Sequence, residues 1–166
     1  MKGPYSEECA SATSALSHSD FLAAETAAGV VTGPLLQRHM SVALLLESGN
    51  TEYCTTTNNA QDCAVDFTAI DEVIEWKNKC VEVGGKFVTS SIFISCSKSA
   101  DDVDITGVSS FTIMLKNVAD CHADICTIEE FGAAAEKGSA AAANWLAHQD
   151  DSFTCKSQVK SFEKVE

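Results

Sequence analysis

Hydrophobic residues recur at helical spacing in three parts of the chain, and between the second and third parts they alternate with polar residues as in strands. The first part, residues 5–28, is rich in Ala and Ser and predicts two helical pieces. Ser19 or Asp20 is expected to cap the second piece. Gly29 and Gly33-Pro34 are expected to end this region.

The second part, Asp66 to Val83, predicts the clearest helix of the chain. Asp66 is a suitable N-cap, and Gly84-Gly85 is expected to end the helix because a glycine readily takes the left-handed conformation. The pattern places Trp76 away from the apolar side, either on a second contact surface or partly exposed. The apolar side itself consists of Phe67, Ile70, Val73, Ile74 and Val81.

The third part begins after Cys126, where Thr127 and Glu130 form a T-x-x-E capping box and predict a helix over 127–148. Alanines dominate residues 133–143, so this helix can approach a neighbouring element closely. The apolar residues at helical spacing are Ile128, Phe131, Ala135, Ala142 and Trp145.

Residues 86–96 and 109–118 predict two strands, because apolar and polar residues alternate in both. A polar, acidic connection joins them, which favours an antiparallel pair. The residues expected on one face are Ile92, Ile94 and Cys96 in the first strand and Phe111, Ile113 and Leu115 in the second.

The remaining segments complete the predicted organisation. Ser41 to Glu47 is a short apolar run that fits either a buried strand or a short helix, and Gly49 to Asp62 is typical of a polar loop. We therefore predict an α+β fold, with helices packed on a small antiparallel sheet. Residues 1–155 are expected to form a single cysteine-rich domain, and residues 156–166 a C-terminal tail that frays.

Eight cysteines are distributed along the whole chain, although a chain of 166 residues can fold without cross-links. Their spacing does not give the two close pairs of a structural zinc site, and no C-x-x-C motif is present. We expect disulfides in place of free thiols or a metal site, and no cofactor. The disulfide cysteines are Cys9, Cys54, Cys63, Cys80, Cys96, Cys121, Cys126 and Cys155.

Spacing alone leaves the pairing of the cysteines open. Two local bridges are expected: Cys54–Cys63, which closes the polar loop, and Cys80–Cys96, which ties a helix end to a strand end. The other four cysteines are expected to pair as Cys121–Cys126 with Cys9–Cys155, or crosswise.

The formal net charge of −13 is spread over short acidic runs. Such a chain repels phosphate backbones and has no basic stripe, which argues against nucleic acid as a partner. No apolar run is long enough to span a membrane, and no signal peptide begins the chain. Together with the disulfides, this predicts a protein of the extracellular space or of an organelle lumen whose targeting segment has been removed.

No motif of the chain points to catalysis, since nucleophile elbows and phosphate-binding loops are absent. His122 lies between Cys121 and Cys126, where a constrained loop would present it as a base, but a surface histidine is the simpler interpretation. Residues 102–107 match the first half of a calcium loop, but the twelfth position holds Ile113 instead of Glu, which favours an acidic solvated turn. We assign no catalytic, cofactor-binding or metal residue, and an enzyme is the less favoured class.

Three features of the chain resemble uncharacterised cysteine-rich secreted proteins of diatoms and related algae. They are the C-x-x-x-G-G element within residues 79–88, Cys96, and the C-x4-C-[ST]-x-[ED] element that begins at Cys121. The C-x4-C-[ST] element is also similar to the cysteine-rich N-terminal domain of nose-resistant-to-fluoxetine proteins and, more distantly, to elicitins. Elicitins are shorter and have fewer cysteines, so their sterol-carrier activity does not transfer. The resemblance covers residues 76–131 and implies an oxidising compartment and an algal lineage.

Two functions follow as hypotheses. The first is a non-catalytic binding or accessory protein with a protein partner, either an extracellular module or an extrinsic subunit of a larger lumenal assembly. The alternative is a small-lipid or sterol carrier with an apolar cavity between the Ala-rich helix and the sheet. A hydrolase ranks third because its motifs are missing.

Overall fold

Two long antiparallel strands, β3 (Gly85–Lys98) and β4 (Ser110–Ala123), form the centre of the fold. The computed structural model of the chain describes residues 6–41, 52–58, 60–98, 109–149 and 153–165. The predicted pairing is confirmed, since Ile94 lies opposite Ile113 and Cys96 opposite Phe111. Both strands are longer than the ranges that the sequence predicts.

Three further strands, β1 (Cys54–Thr57), β2 (Ala60–Asp66) and β5 (Phe153–Val165), complete a five-stranded sheet. The strand order is β1-β2-β4-β3-β5. Among these strands the β2–β4 pair is parallel and the other three pairs are antiparallel. The apolar run Ser41 to Glu47 lies outside the described residues after its first position.

Two of these strands correct the sequence analysis. The polar loop predicted over 49–62 contains β1 and the start of β2, where Gln61 is buried and the residues next to it are not. The tail predicted to fray is strand β5, which pairs with β3 from Phe153 to Val165. Both predictions were wrong because polar residues on the outer side of each strand concealed the alternation.

The register of the β3–β4 pair shifts at a β-bulge. Ser90 lies opposite Val118 while Ile92 lies opposite Leu115, so β4 carries one more residue than β3 at this point. Asn117 in the bulge has a positive φ of 56°. Asparagine tolerates this conformation better than most residues, and the backbone N–H of Asn117 donates to Ser91 Oγ at 3.1 Å.

Four α-helices lie in the described ranges, and with the sheet they give the predicted α+β class. They are α1 (Glu7–Ser14), α2 (Ser19–His39), α3 (Asp71–Glu82) and α4 (Ile128–Gln149). The N-cap of α2 is His18, one residue before the predicted cap, and its Nδ1 accepts from the backbone N–H of Asp20 at 3.4 Å.

Helix α2 continues through Gly29 and Pro34, where an end was predicted. A proline inside a helix costs about 3 kcal/mol, so tertiary contacts have to offset it. Ala28 before the proline is buried against α3, and Leu35 after it packs against the core of the sheet. Burial on both sides of Pro34 therefore overrides the local preference, and the predicted end was wrong.

Helices cover the two faces of the sheet unequally. Helix α4 lies on one face, where Ala143 and Leu146 pack with the inward residues of β3 and β4. Helix α3 lies on the other face and packs through Val73 and Trp76 against Phe87 of β3. The residues of this second face beyond the bulge are at least partly exposed; they are Asp62, Phe93, Ser95, Thr112 and Met114.

The buried side of α3 differs in part from the predicted one. Trp76 is buried and meets the Phe87 ring edge-on at 5.3 Å, so it forms the second contact surface, whereas Ile74 and Val81 are exposed. The predicted cap Asp66 accepts from the backbone N–H of Thr68 and caps a short 3-10 turn, and α3 begins five residues later. The sequence analysis began the helix at Asp66 instead of Asp71, and it therefore assigned the wrong residues to part of the buried side.

The capping box of α4 is confirmed: Thr127 Oγ1 accepts from the backbone N–H of Glu130 at 3.1 Å. The apolar side was predicted only in part, since Trp145 is 62% exposed. The buried residues of α4 are Phe131, Gly132, Ala135, Ser139, Ala143 and Leu146.

All eight cysteines are paired, as Cys9–Cys126, Cys54–Cys63, Cys80–Cys121 and Cys96–Cys155. The Cys54–Cys63 prediction is confirmed. Cys80–Cys96 was wrong because Cys96 faces α4, whereas Cys80 lies in α3 on the opposite face of the sheet, where Cys121 meets it. Cys121–Cys126 and Cys9–Cys155 were also wrong, and Cys9–Cys126 was among the crosswise alternatives.

The pairing predicts a defined alkylation pattern. In denaturant without reductant no thiol should be alkylated, and after reduction all eight should be. Intact mass measures both states, and peptide mapping of the unreduced chain should recover the four pairs of the structure. A linked Cys80–Cys96 peptide would contradict the placement of α3.

Gly85→Ala should destabilise the fold, because the added Cβ would lie 2.9 Å from the Sγ atoms of both Cys80 and Cys121. It would also lie 3.0 Å from the backbone oxygen of Cys80. A disulfide and a backbone carbonyl cannot turn aside as a flexible side chain does. We expect a loss of about 1–3 kcal/mol in the free energy of unfolding, measured by urea denaturation.

Gly138→Ala is the matched control for this substitution. Gly138 lies on the exposed side of α4 and has nothing within 4 Å of the added Cβ. The change should stabilise the protein by up to about 1 kcal/mol through helix propensity. Equal effects at the two glycines would contradict the close approach at Gly85.

Candidate binding groove

A groove of about 470 Å³ lies between helix α4 and the edge strand β5. Helix α4 contributes Ala140, Ala141, Ala143, Asn144 and Ala147, and β5 contributes Cys155 and Ser157. The lining therefore carries no charged side chain, and its helical wall consists mostly of alanine. Small side chains on one wall leave room for a segment that lies along the other.

The side of α4 that faces the sheet is packed into the core. Leu146 is fully buried, and Ala143 is 6% exposed among the apolar residues of β3 and β4. The groove consequently lies at the outer edge of α4, above β5, and not beneath the helix where the carrier hypothesis expects a cavity.

The predicted disulfide cysteines hold both edges of the sheet. Cys96 and Cys155 lie directly opposite each other and tie the edge strand β5 to β3. Cys54 and Cys63 likewise lie opposite each other and tie β1 to β2. The strand wall of the groove is thus covalently fixed to the centre of the sheet.

A polar cluster surrounds the β4 bulge. Asp66 Oδ1 accepts hydrogen bonds from Thr68 Oγ1 at 2.8 Å and from Asn117 Nδ2 at 3.0 Å. Burial alone would raise the pKa of Asp66, but these hydrogen bonds and the nearby Lys116 outweigh it and leave the pKa below its ordinary value. The carboxylate is occupied in holding the bulge, so we interpret its role as structural.

A smaller depression of about 260 Å³ adjoins this cluster. Its lining mixes apolar residues of α3 and β3 with polar ones near the bulge. The lining residues are Thr68, Val73, Ile74, Lys77, Phe87, Thr89 and Asn117. No two of them form a nucleophile and base pair, and the depression is smaller than the α4–β5 groove.

His122 was predicted as a surface residue, and that prediction was wrong. It is buried, with Nε2 3.3 Å from Asp120 Oδ2 and its ring against Phe131 of α4. Cys121 and Cys126, which flank it in sequence, belong to two different disulfides. Helix α4 therefore covers His122, and the three residues do not form a reactive loop.

His39 is the second buried histidine. One ring nitrogen, Nδ1, hydrogen-bonds to Leu35 O at 2.7 Å, and the ring meets Tyr53 edge-on. Burial lowers the pKa of His39 and the nearby Arg38 lowers it further, against an opposing effect of the Leu35 hydrogen bond. The side chain is thus a neutral core group at the end of α2.

No group of three or more metal-ligating side chains occurs within the described residues. The half calcium loop at 102–107 lies outside them. None of the helices in the described ranges combines the length and the hydropathy that a membrane crossing needs.

The residues of the groove were missed at the sequence level. Phe153, Cys155 and Val159 alternate with polar residues, which is the signal of a half-buried strand. Assigning residues 156–166 to a polar tail separated Ser157 and Val159 from the Ala-rich helix. The alanines themselves were noted, but nothing in the sequence shows which element lies beside them.

Comparisons with protein-family models, with curated proteins and with solved structures gave no significant match. The function is therefore inferred from the geometry of this chain.

The pH dependence of stability should report the buried His39. Its folded-state pKa lies below the ordinary value of 6.5, so the unfolded chain binds the proton first as the pH falls. The contribution to the free energy of unfolding is complete above about pH 6.5 and is lost progressively below it. His39→Leu should flatten this slope, as measured by urea denaturation between about pH 5 and 7.

His148→Leu is the matched control. His148 Nδ1 also contacts the carbonyl four residues earlier, Asn144 O at 2.7 Å, but the side chain is exposed. This variant should retain the slope of the wild-type protein. An unchanged slope in His39→Leu would show that another group governs the acid side of the profile.

Proposed function

We propose that this chain is a non-catalytic binding or accessory protein of an oxidising compartment. The observation that supports the proposal most is the uncharged groove beside β5, whose strand wall is fixed by the Cys96–Cys155 disulfide. A rigid groove favours binding because less conformational entropy is lost when a partner is ordered against it.

His122, Asp66 and the cysteines, which by residue type suggest chemistry, are engaged in structure. His122 packs beneath α4, Asp66 holds the bulge, and every cysteine is in a disulfide. These contacts support a binding role over a catalytic one, because a catalyst needs a group that is free to contact the substrate.

Four disulfides are compatible with an oxidising compartment. Within it, we propose either an extracellular module or an extrinsic subunit of a lumenal assembly, in an organism related to diatoms. The strongly acidic surface suits a protein that stays dissolved at high concentration while one local surface contacts a partner.

The carrier alternative has less support, because the inward side of α4 is packed against the sheet. Native mass spectrometry distinguishes it from the main proposal. Uptake of a fluorescent sterol in stoichiometric amount would favour the carrier.

The accessory-subunit version predicts a stable complex in the source organism. After gentle lysis and size-exclusion chromatography, the native chain should elute earlier than the purified recombinant chain and together with one partner at constant ratio. A matched extract treated with reductant is the control, because loss of the disulfides should release the chain. Elution at the monomer volume in the untreated extract would contradict this version.

A further inference from the structure

Strand β5 is an edge of the sheet. Within the described part of the chain it pairs with β3 on one side and with no strand on the other. An edge strand presents N–H and C=O groups that lack a ladder partner, and such an edge accepts an added strand from another chain.

The register shows which groups of β5 point outward. The Cα atoms of Cys96 and Cys155 are 4.1 Å apart, the short spacing of a non-hydrogen-bonded pair. The backbone N–H and C=O of Cys155 therefore point away from β3, and by alternation those of Ser157 and Val159 do as well.

A second observation gives the same assignment. The N–H of Lys98 donates to Ser109 O at 2.9 Å, so the even-numbered residues in this part of β3 bond to β4. The odd-numbered residues Ser95 and Ser97 are then left to bond to β5, through Lys156 and Thr154 opposite them. The outward residues of β5 are again the odd-numbered ones.

The outward edge and the groove coincide. Cys155 and Ser157, whose backbone groups point away from β3 and pair with no strand in the described ranges, also line the groove opposite the alanines of α4. An added strand would lie about 4.8 Å from β5 and would place every second side chain toward α4. Alanines at that wall leave space for these side chains.

The charge of β5 differs in sign from that of the whole chain. The strand contains Lys156, Lys160 and Lys164 against one acidic residue, Glu163, in a chain of net charge −13. Lys98, whose Nζ lies 5.3 Å from the centre of the Phe153 ring, adds a positive charge near the start of the strand. At physiological salt charges are screened over about 8 Å, so for a segment beside the first half of β5 the nearby charges of Lys156 and Lys98 count more than the net charge of the whole chain.

A second copy of the chain is a poor occupant of this edge. Pairing β5 with another β5 would bring the lysines of both strands together, and lysines on an edge strand disfavour such self-association. An acidic strand gains attraction from the same lysines.

We infer that the groove binds an acidic, extended segment of a partner protein, which adds to the free edge of β5 as a sixth strand beside α4. This inference rests on the proposed binding function and names the mode and the partner class of the same groove.

The inference is tested on the full disulfide-bonded chain by selecting peptides that bind it from a phage-displayed random library. The peptides have about 12 residues, a length that spans the edge. Enriched peptides should be acidic, rich in β-branched residues and poor in proline. Ser157→Pro removes one outward N–H while leaving the bonds to β3, and it should weaken binding of the enriched peptide about tenfold. Ser157→Ala keeps the N–H, so any weakening that it causes through the lost hydroxyl should be clearly smaller than that of Ser157→Pro.

A second pair of variants tests the charge. Lys156→Glu reverses an exposed charge on β5 and should weaken binding about three- to tenfold at low salt, with a smaller effect at high salt. Lys77→Glu makes the same change in net charge on α3, which lies on the opposite face of the sheet from the groove, and it should bind as the wild-type protein does.

Hydrogen exchange on the wild-type protein tests the same inference without a substitution that could change the fold. In the free chain the amides of Cys155, Ser157 and Val159 should exchange faster than those of Thr154, Lys156 and Gln158. The enriched peptide should slow the first set. The inference would be overturned if no peptide is enriched, or if the enriched peptides are basic or rich in proline. It would also be overturned if the peptide protects only amides of α4, or if Ser157→Pro binds it as well as the wild-type protein does.

The two proposals fail in different ways. If the partner that co-elutes from the source also binds Ser157→Pro and Lys156→Glu fully, strand addition at β5 is wrong and the accessory function stands. If selected peptides protect the outward amides but the native chain is a monomer in its source, the groove binds as inferred and the permanent-subunit version is wrong. A dimer of the purified chain that protects the same amides would identify a second copy as the occupant and overturn the assigned partner class.

Discussion

The pairing of β3 with β4 is the interaction on which the rest of the structure depends. These strands exchange hydrogen bonds on both sides of the bulge, and every other layer attaches to them. Strand β2 adds to β4 and β5 adds to β3, while α3 and α4 pack on opposite faces. The bulge at Asn117 allows the pair to continue past one extra residue, so a single pair of strands supports both halves of the fold.

The disulfides reinforce this arrangement at the places where the sheet is weakest. Edge strands and short helices open most readily because they have contacts on one side only. Cys96–Cys155 and Cys54–Cys63 secure the two edges, and Cys80–Cys121 secures α3. Cys9–Cys126 joins the first helix to the start of α4. A protein stabilised in this way can keep an unpaired edge ordered and available to a partner.

The same organisation explains why these polar groups favour a structural role: the buried His122 and His39 lie under or at the ends of helices, and the exposed Asp66 carboxylate accepts three hydrogen bonds near the bulge. The proposed binding site is instead a backbone edge beside a wall of alanines, with Lys156 exposed in an otherwise acidic chain. Recognition through backbone groups needs few specialised side chains, which is consistent with the absence of a catalytic motif from the sequence.

The sequence by itself determined the elements whose pattern is local. The alternation around Ile94 and Ile113 and the T-x-x-E capping box at Thr127 follow from neighbouring residues. The disulfide nature of the cysteines follows from their number and spacing along the chain. Tertiary structure decided what depends on distant partners: the path of α2 through Pro34, the burial of Trp76, and the pairing of Cys80 with Cys121 instead of Cys96. It also made β3 the partner of β5, whose alternation of apolar and polar residues indicates a strand but not its neighbour in the sheet. The groove belongs to this second class, since its two walls lie together only after the sheet has formed.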